Sequence, residues 1–319
     1  MARDGIITHA HYLFIHFPSA HITMRFLLPI LASSFAYTAL AHSAGSNITR
    51  CGNYALSSSQ KAELDAAVSN RTMVASAATR NVDTYVHVVT SQSKKDDYTK
   101  EMVENQMKVM NEAYASMGFS FSTYVVNDYL QDGTLLTILS AGVDFTVQGD
   151  WAAATPGSDE ETDMKKELRQ GSYGDLNLYF LSDLGGGLLG FCYFPTSNPD
   201  ANMQVLDGCI NLAGSMPGGE TNGYNEGMTA VHESGHWFGL YHTFEGNGCS
   251  GNGDQVGDTP IQSSPTTGCP ASKDSCPDSP GMDNIHNYMD YSTDECLTEF
   301  TSGQSQRARS LFDSFRAGK

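Results

Sequence analysis

The stretch Thr229-Ala230-Val231-His232-Glu233-Ser234-Gly235-His236-Trp237-Phe238-Gly239-Leu240-Tyr241-His242 sets two histidines four residues apart. On a helix they share one face, so two imidazoles can reach one metal ion. Glu233, next to His232, projects beside that ion rather than onto it, where a carboxylate can take a proton from water. Gly239 lets the helix stop and the chain turn, which swings His242 round as a third nitrogen ligand. Three protein ligands leave the fourth position of zinc open, as in a catalytic site. His-Glu-x-x-His alone arises by chance in roughly one in 100 chains of this length; fixed Gly and His further on cut that by about three orders of magnitude. The competing reading is a buried helix with satisfied histidines. It would bury three imidazoles and a carboxylate among apolar groups at a large cost.

Outward from this helix, expected over 225–241, the chain alternates strands and helices. Asn81–Thr90 (NVDTYVHVVT) reads as a first strand, Asp96–Met117 as a helix ended by Gly118, and Phe119–Tyr124 and Thr134–Leu139 as further strands. Thr162–Arg169 is a short helix, Leu176–Leu181 (LNLYFL) a buried strand, Leu188–Phe194 and Cys209–Leu212 strands, and Thr301–Ala317 a closing amphipathic helix. Such alternation indicates an α/β or α+β sheet domain. The triplet Gly185-Gly186-Gly187 fits no phosphate-binding frame and reads as a loop. His87 and His286 read as structural. Between Ser43 and Arg80 the sequence is Ser/Ala/Asn-rich, with a helical pattern near Ser59–Val68 and no strong strand.

The chain has 319 residues, 36 acidic against 18 basic, for a net charge of -18, which excludes nucleic acid and anionic membranes as partners. With 40% hydrophobic residues a folded core is expected. Arg25 and the apolar run Phe26 to Leu40, ending in Ala39-Leu40-Ala41, predict a signal peptide over 24–41. About 15 apolar residues with Pro29 inside are too short a span for hydrocarbon. Residues 1–23 read as a gene-model extension upstream of Met24, and their histidines, His9, His11, His16 and His21, as no metal tract. The mature protein is thus expected outside the cell, without a membrane segment, and as a monomer. Seven cysteines fit an oxidising compartment, and Asn47 and Asn70 head glycosylation sequons.

Downstream, Asn287-Tyr288-Met289-Asp290-Tyr291 supplies a methionine for an apolar floor beneath the metal. His-Glu-x-x-His-x-x-Gly-x-x-His followed by such a Met-turn is the metzincin pattern. Together with Trp237 to Phe244, Gly253-Asp254-Gln255-Val256-Gly257-Asp258-Thr259-Pro260 and His286 to Ser292, it resembles the pappalysin family, and within it the fungal secreted metalloproteases of the cytophagalysin branch. The likeness covers about residues 80–316 and is dense from 229 to 300.

That resemblance implies an α+β metzincin fold. A twisted mixed sheet with a backing helix and the active-site helix would form an upper subdomain to about residue 242, above an irregular, disulfide-tied lower one, the catalytic domain spanning 81–319. It implies a zinc endopeptidase acting on proteins or peptides, with His232, His236 and His242 as ligands and Glu233 as general base and acid. Tyr291 would stabilise the oxyanion, and Met289 would be structural. Leu188–Phe194 would be the edge strand that pairs antiparallel with substrate, or an ordinary edge strand. By position, Cys249 pairs with Cys276 and Cys269 with Cys296, leaving Cys192 with Cys209. Asp254, Asp258 and Thr259 are calcium candidates, or solvated acids. Glu295 stands where relatives put an acid in the S1′ pocket, implying Lys or Arg after the scissile bond, or else it is a surface glutamate.

Thr49-Arg50-Cys51-Gly52-Asn53 looks like a cysteine switch within a pro-segment over 42–80, a thiolate filling the open zinc position until a cut between about Ser69 and Asn81. An intermolecular disulfide or a spare thiol are the other readings of Cys51. Two other functions would keep this chemistry or this fold: zinc-dependent hydrolysis of a non-protein amide or ester, and a catalytically silent secreted binding module.

Overall fold

Every residue of the strand Leu176–Leu181 is buried, because its alternate side chains enter two different cores. Leu176, Leu178 and Phe180 join one cluster, and Tyr179 and Leu181 join another on the opposite face. A continuous apolar run is what a strand covered on both faces requires. The computed structural model describes residues 48–52, 56–69, 78–123, 128–129, 135–136 and 143–319. The expected leader, the extension before it, and Asn47 and Asn70 lie outside the described residues.

The elements in chain order are β1 (Thr49–Cys51), α1 (Ser58–Ser69), β2 (Arg80–Thr90), α2 (Lys100–Ala115), β3 (Phe119–Thr123), β4 (Asp128–Tyr129), β5 (Leu135–Leu136), β6 (Val143–Val147), α3 (Gly149–Ala152) and α4 (Asp159–Leu168). There follow β7 (Leu176–Leu181), β8 (Leu188–Cys192), α5 (Ala201–Leu206), β9 (Cys209–Leu212), α6 (Met228–Trp237) and α7 (Ser302–Phe315). Among the described residues the main sheet runs β1-β8-β9-β7-β2-β3, with β6 also paired to β2. Every pairing in it is parallel except β8 with β9. This is the mixed sheet with flanking helices of the α+β class.

One face of the sheet packs on α2, α6 and α7. There Val86, Leu178 and Phe180 meet Met110, Tyr114, Val231 and Trp237, all fully buried. Each such side chain contributes about 1.5–3 kcal/mol by leaving water. The opposite face is covered by α3 and α4 through Ala152 and Met164. Cys192 is bonded to Cys209 across the β8–β9 pair, and Cys249 to Cys276 and Cys269 to Cys296 tie the irregular stretch after α6. Among the described residues, no helix is long and apolar enough to cross a membrane.

The elements differ from the sequence expectations at their ends, for local reasons. α2 starts at Lys100, later than Asp96, because the Thr99 hydroxyl caps the Met102 N–H. α4 starts earlier than Thr162, because Ser158 caps Glu161. α6 is shorter than 225–241: Gly227, at φ 91°, delays its start, and Gly239, at φ 87°, ends it. Of the strand expected over Thr134–Leu139, Leu135 and Leu136 are described, paired with Asp128–Tyr129. The segment before Arg80 does contain a strand. β1 joins the edge of the main sheet, its Cys51 facing Gly190.

Candidate active site

α6 carries His232, Glu233 and His236, all buried, and the turn at Gly239 brings His242 beside them. That turn admits no side chain at residue 239, since a Cβ there would lie 2.3 Å from Leu311. The ring nitrogen Nδ1 of His232 lies 2.7 Å from the Tyr288 carbonyl, and that of His236 lies 2.8 Å from the Leu240 carbonyl. A carbonyl only accepts, so both Nδ1 atoms carry the proton and both Nε2 atoms present lone pairs. Nε2 of His242 lies 3.1 Å from that of His236 and 3.2 Å from that of His232. Lone pairs converging this closely repel unless a cation sits among them, so the donor set fits a zinc ion. Burial pushes all three imidazoles below the ordinary histidine range, His236 to about 4, and neutral rings are the ligating form.

Beneath them lies Met289, fully buried. Its sulfur occupies the space that a side chain at Gly235 would need, an added Cβ falling 2.3 Å from Sδ. The turn holding it is fixed by Asp290, whose carboxylate accepts from Gln262 Nε2 at 3.0 Å and from the Thr266 backbone N–H at 2.9 Å. Tyr291 follows, its ring centroid 5.1 Å from that of His242. Its hydroxyl donates to the Cys51 carbonyl at 3.2 Å, and burial pushes that phenol upward.

Cys51 Sγ and one donor nitrogen from each of the three histidines all lie within 4.8 Å of one another. The thiol also donates to Oε2 of Glu233 at 3.3 Å, while Oε1 of Glu233 has no partner among the described residues. Burial raises both groups well above their usual ranges. Glu233 lies directly against the sheet edge: a Cβ at Gly190 would approach its Cγ to 2.8 Å. β1 hydrogen-bonds to that edge, Thr49 N–H donating to Gly187 at 2.9 Å and Gly52 N–H to Gly190 at 2.8 Å, and it runs parallel to β8.

The residue before Cys51 makes a buried ion pair of its own. Arg50 is 2% exposed, and its Nη2 reaches Asp294 Oδ1 at 2.6 Å and the Ser292 carbonyl at 2.7 Å. The other oxygen of Asp294 accepts from the backbone N–H of Glu226 at 3.0 Å and of Met228 at 3.4 Å, at the start of α6. Glu295 is exposed. The buried carboxylate of this turn is that of Asp294, a residue the sequence reading did not single out. Gly190 and Gly235, which admit Glu233 and Met289, were also missed, since a glycine's close approach leaves no sequence signal.

The calcium candidates divide. Thr259 donates to Oδ1 of Asp254 at 2.6 Å, but Asp258 turns away to accept from Thr301 at 2.7 Å and from the Gly303 N–H at 2.8 Å, holding the start of α7. His87 pairs with Asn177 at 3.0 Å and His286 with the Cys296 carbonyl at 2.7 Å, both away from the histidine trio.

The profile of the Peptidase_M43 family, described as Pregnancy-associated plasma protein-A, matches residues 162–313. An extracellular metalloprotease of Pyricularia oryzae is 49% identical over 260 residues, covering 81% of this chain and 83% of that protein. One of Podospora anserina is 42% identical over 312 residues, 92% of this chain and 99% of that protein. Among solved structures, mature mirolysin of Tannerella forsythia in complex with a cleaved peptide is similar at a TM-score of 0.57 and 25% identity, over 76% of this chain and 97% of that one. A promirolysin variant is similar at a TM-score of 0.61 and 25% identity, over 81% of this chain and 88% of that one.

Proposed function

This chain belongs to the pappalysin family of extracellular zinc metalloproteases, and we propose that it is a secreted endopeptidase made as a latent precursor. In this reading His232, His236 and His242 hold the zinc, Glu233 moves the proton, and Cys51 blocks the site. The observation that carries it is the convergence of three imidazole nitrogens and the Cys51 sulfur within 4.8 Å, with the Glu233 carboxylate alongside.

Zinc held there supplies a Lewis acid that polarises a peptide carbonyl and acidifies water. Glu233 accepts a proton from the water whose oxygen adds to the scissile carbonyl carbon. It then donates that proton to the amine nitrogen as the C–N bond breaks. Tyr291, released from the Cys51 carbonyl, donates to the oxyanion that develops in between. A substrate pairs antiparallel with β8, using backbone groups that β1 occupies in the precursor. Because β1 runs the other way, its peptide bonds meet Glu233 in the reverse sense, which supports its role as a blocker.

Selectivity for Lys or Arg after the scissile bond belongs to the same reading. It rests on Asp294, whose carboxylate already holds the guanidinium of Arg50, rather than on the exposed Glu295. A leader over 24–41 and a pro-segment ending between about Ser69 and Asn81 complete the precursor, and the mature protease acts as a monomer. A structural calcium ion at Asp254 and Thr259 is supported by Asp254 Oδ2, a buried oxygen without a hydrogen-bond partner among the described residues.

The test is hydrolysis of denatured casein or gelatin by the secreted protein, with and without phenanthroline, with intact mass followed in parallel. Activity lost to the chelator, restored by zinc, and accompanied by loss of mass ahead of β2 is the expected result. A zinc-loaded, fully processed chain that cleaves nothing would overturn the reading.

A further inference from the structure

Blocking the zinc site needs only β1, yet α1 is built into the catalytic half by contacts of its own. Ser57 and Gln60 cap the helix reciprocally: the Ser57 hydroxyl accepts the Gln60 N–H at 3.2 Å and the Gln60 side chain accepts the Ser57 N–H at 2.9 Å. Leu64, 1% exposed, then enters a separate apolar cluster with Tyr241, Leu311 and Phe315.

Charges frame this contact on several sides. Lys61 pairs with Glu245, Asp65 accepts from Arg307 at 2.9 Å, and Glu63 accepts from the Ser197 N–H at 3.0 Å. The seat thus comprises α7, the segment after β8, and the turn whose Tyr241 precedes the third histidine. It offers an apolar centre, an acid at one end and a base at the other, and α1 carries the complement of each.

We propose that this seat is a docking surface for the released pro-segment, so that residues 48–69 rebind the matured protease in trans, with β1 in the cleft and α1 on the seat. The proposal rests on the reading of the chain as a latent zinc endopeptidase. A free helix of 12 residues is marginal in water, so α1 orders itself only on the seat, and each site alone binds weakly. Joined by residues 52–57, the second contact forms at an effective concentration in the millimolar range, and the pair outbinds either part. Maturation then releases an inhibitor, and full activity waits on its dilution or degradation.

The experiment uses the matured protease and labelled, reduced synthetic peptides, with binding followed by fluorescence anisotropy and inhibition by cleavage of a short peptide substrate. Peptide 48–69 should bind about tenfold or more tighter than peptide 48–55, and inhibit in the same order. Leu64→Asp in the long peptide should return it to the affinity of the short one. Asp65→Lys, which keeps helix propensity but puts like charge against Arg307, should weaken binding several-fold. Equal affinity of the long and short peptides, or indifference to both substitutions, would overturn the proposal. A matured protein that does not cleave the substrate even without peptide would instead overturn the functional reading on which it rests.

Discussion

Arg50 and Asp294 form an ion pair of 2.6 Å in which both side chains are about 1% exposed. The guanidinium also lies over the Tyr224 ring, 5.0 Å from its centroid. If the pro-segment is removed as proposed, Asp294 loses this partner and becomes free to pair with a cation of the substrate. Its second oxygen accepts from the N–H groups at the start of α6, which orients the carboxylate.

The first consequence is selectivity. In the matured protease, Asp294→Asn should lower kcat/KM for substrates with Lys or Arg after the scissile bond by about 10–100-fold, the worth of a charged hydrogen bond of ~1.5–3 kcal/mol. Substrates with Leu at that position should change little. Paired fluorogenic peptides differing at that residue read the ratio. An equal loss on both peptides would locate the effect in α6 rather than in the pocket.

The same pair bears on latency. Arg50→Ala in the full-length precursor removes that charged contact and should raise the fraction with an open cleft by about 10–100-fold. The variant precursor should cleave a short peptide before any mass is lost. An intact Arg50→Ala precursor as silent as the wild type would show that the Arg50–Asp294 pair is not needed to hold the site closed.

What the sequence made legible divides along the range of the forces involved. His232, Glu233 and His236 are set by helical period, and Gly239 by a conformation that only glycine adopts readily, so a local reading finds them. The strand LNLYFL declares itself because burial on both faces demands unbroken apolar residues. β6 was not found: its Phe145 and Val147 are 44% and 48% exposed, so its pattern carries no burial signal. β1 was missed because it is three residues long and owes its existence to β8, far along the chain. Asp294 and Glu295 lie in a single turn of 3-10 helix, where no periodicity tells the inward residue from the outward one.

Gly235 illustrates such a non-local constraint. Gly235→Ala would push a methyl to 2.3 Å from the Met289 sulfur, so the buried Met289 side chain must shift. Overpacking of this kind costs about 1–3 kcal/mol, and here the strain falls on the floor of the histidine trio. A lowered Tm together with weaker zinc retention in a competition with a chromogenic chelator is expected. A lowered Tm with unchanged zinc affinity would make Met289 a packing residue without influence on the metal.

Glu233 gives the sharpest division between holding the metal and using it. Among the described residues its Oε1 has no partner and its Oε2 takes only the Cys51 thiol, so neither oxygen supports a histidine ring. Glu233→Ala in the matured protease should therefore leave bound zinc stoichiometric by metal analysis. It should lower kcat by about 10²–10⁴-fold, the range that a positioned general base supplies. KM should move much less, because the groups proposed to hold substrate, the β8 edge and Asp294, are left unchanged. Near-normal turnover in the zinc-loaded variant would remove Glu233 from the proton path and leave the site without a base.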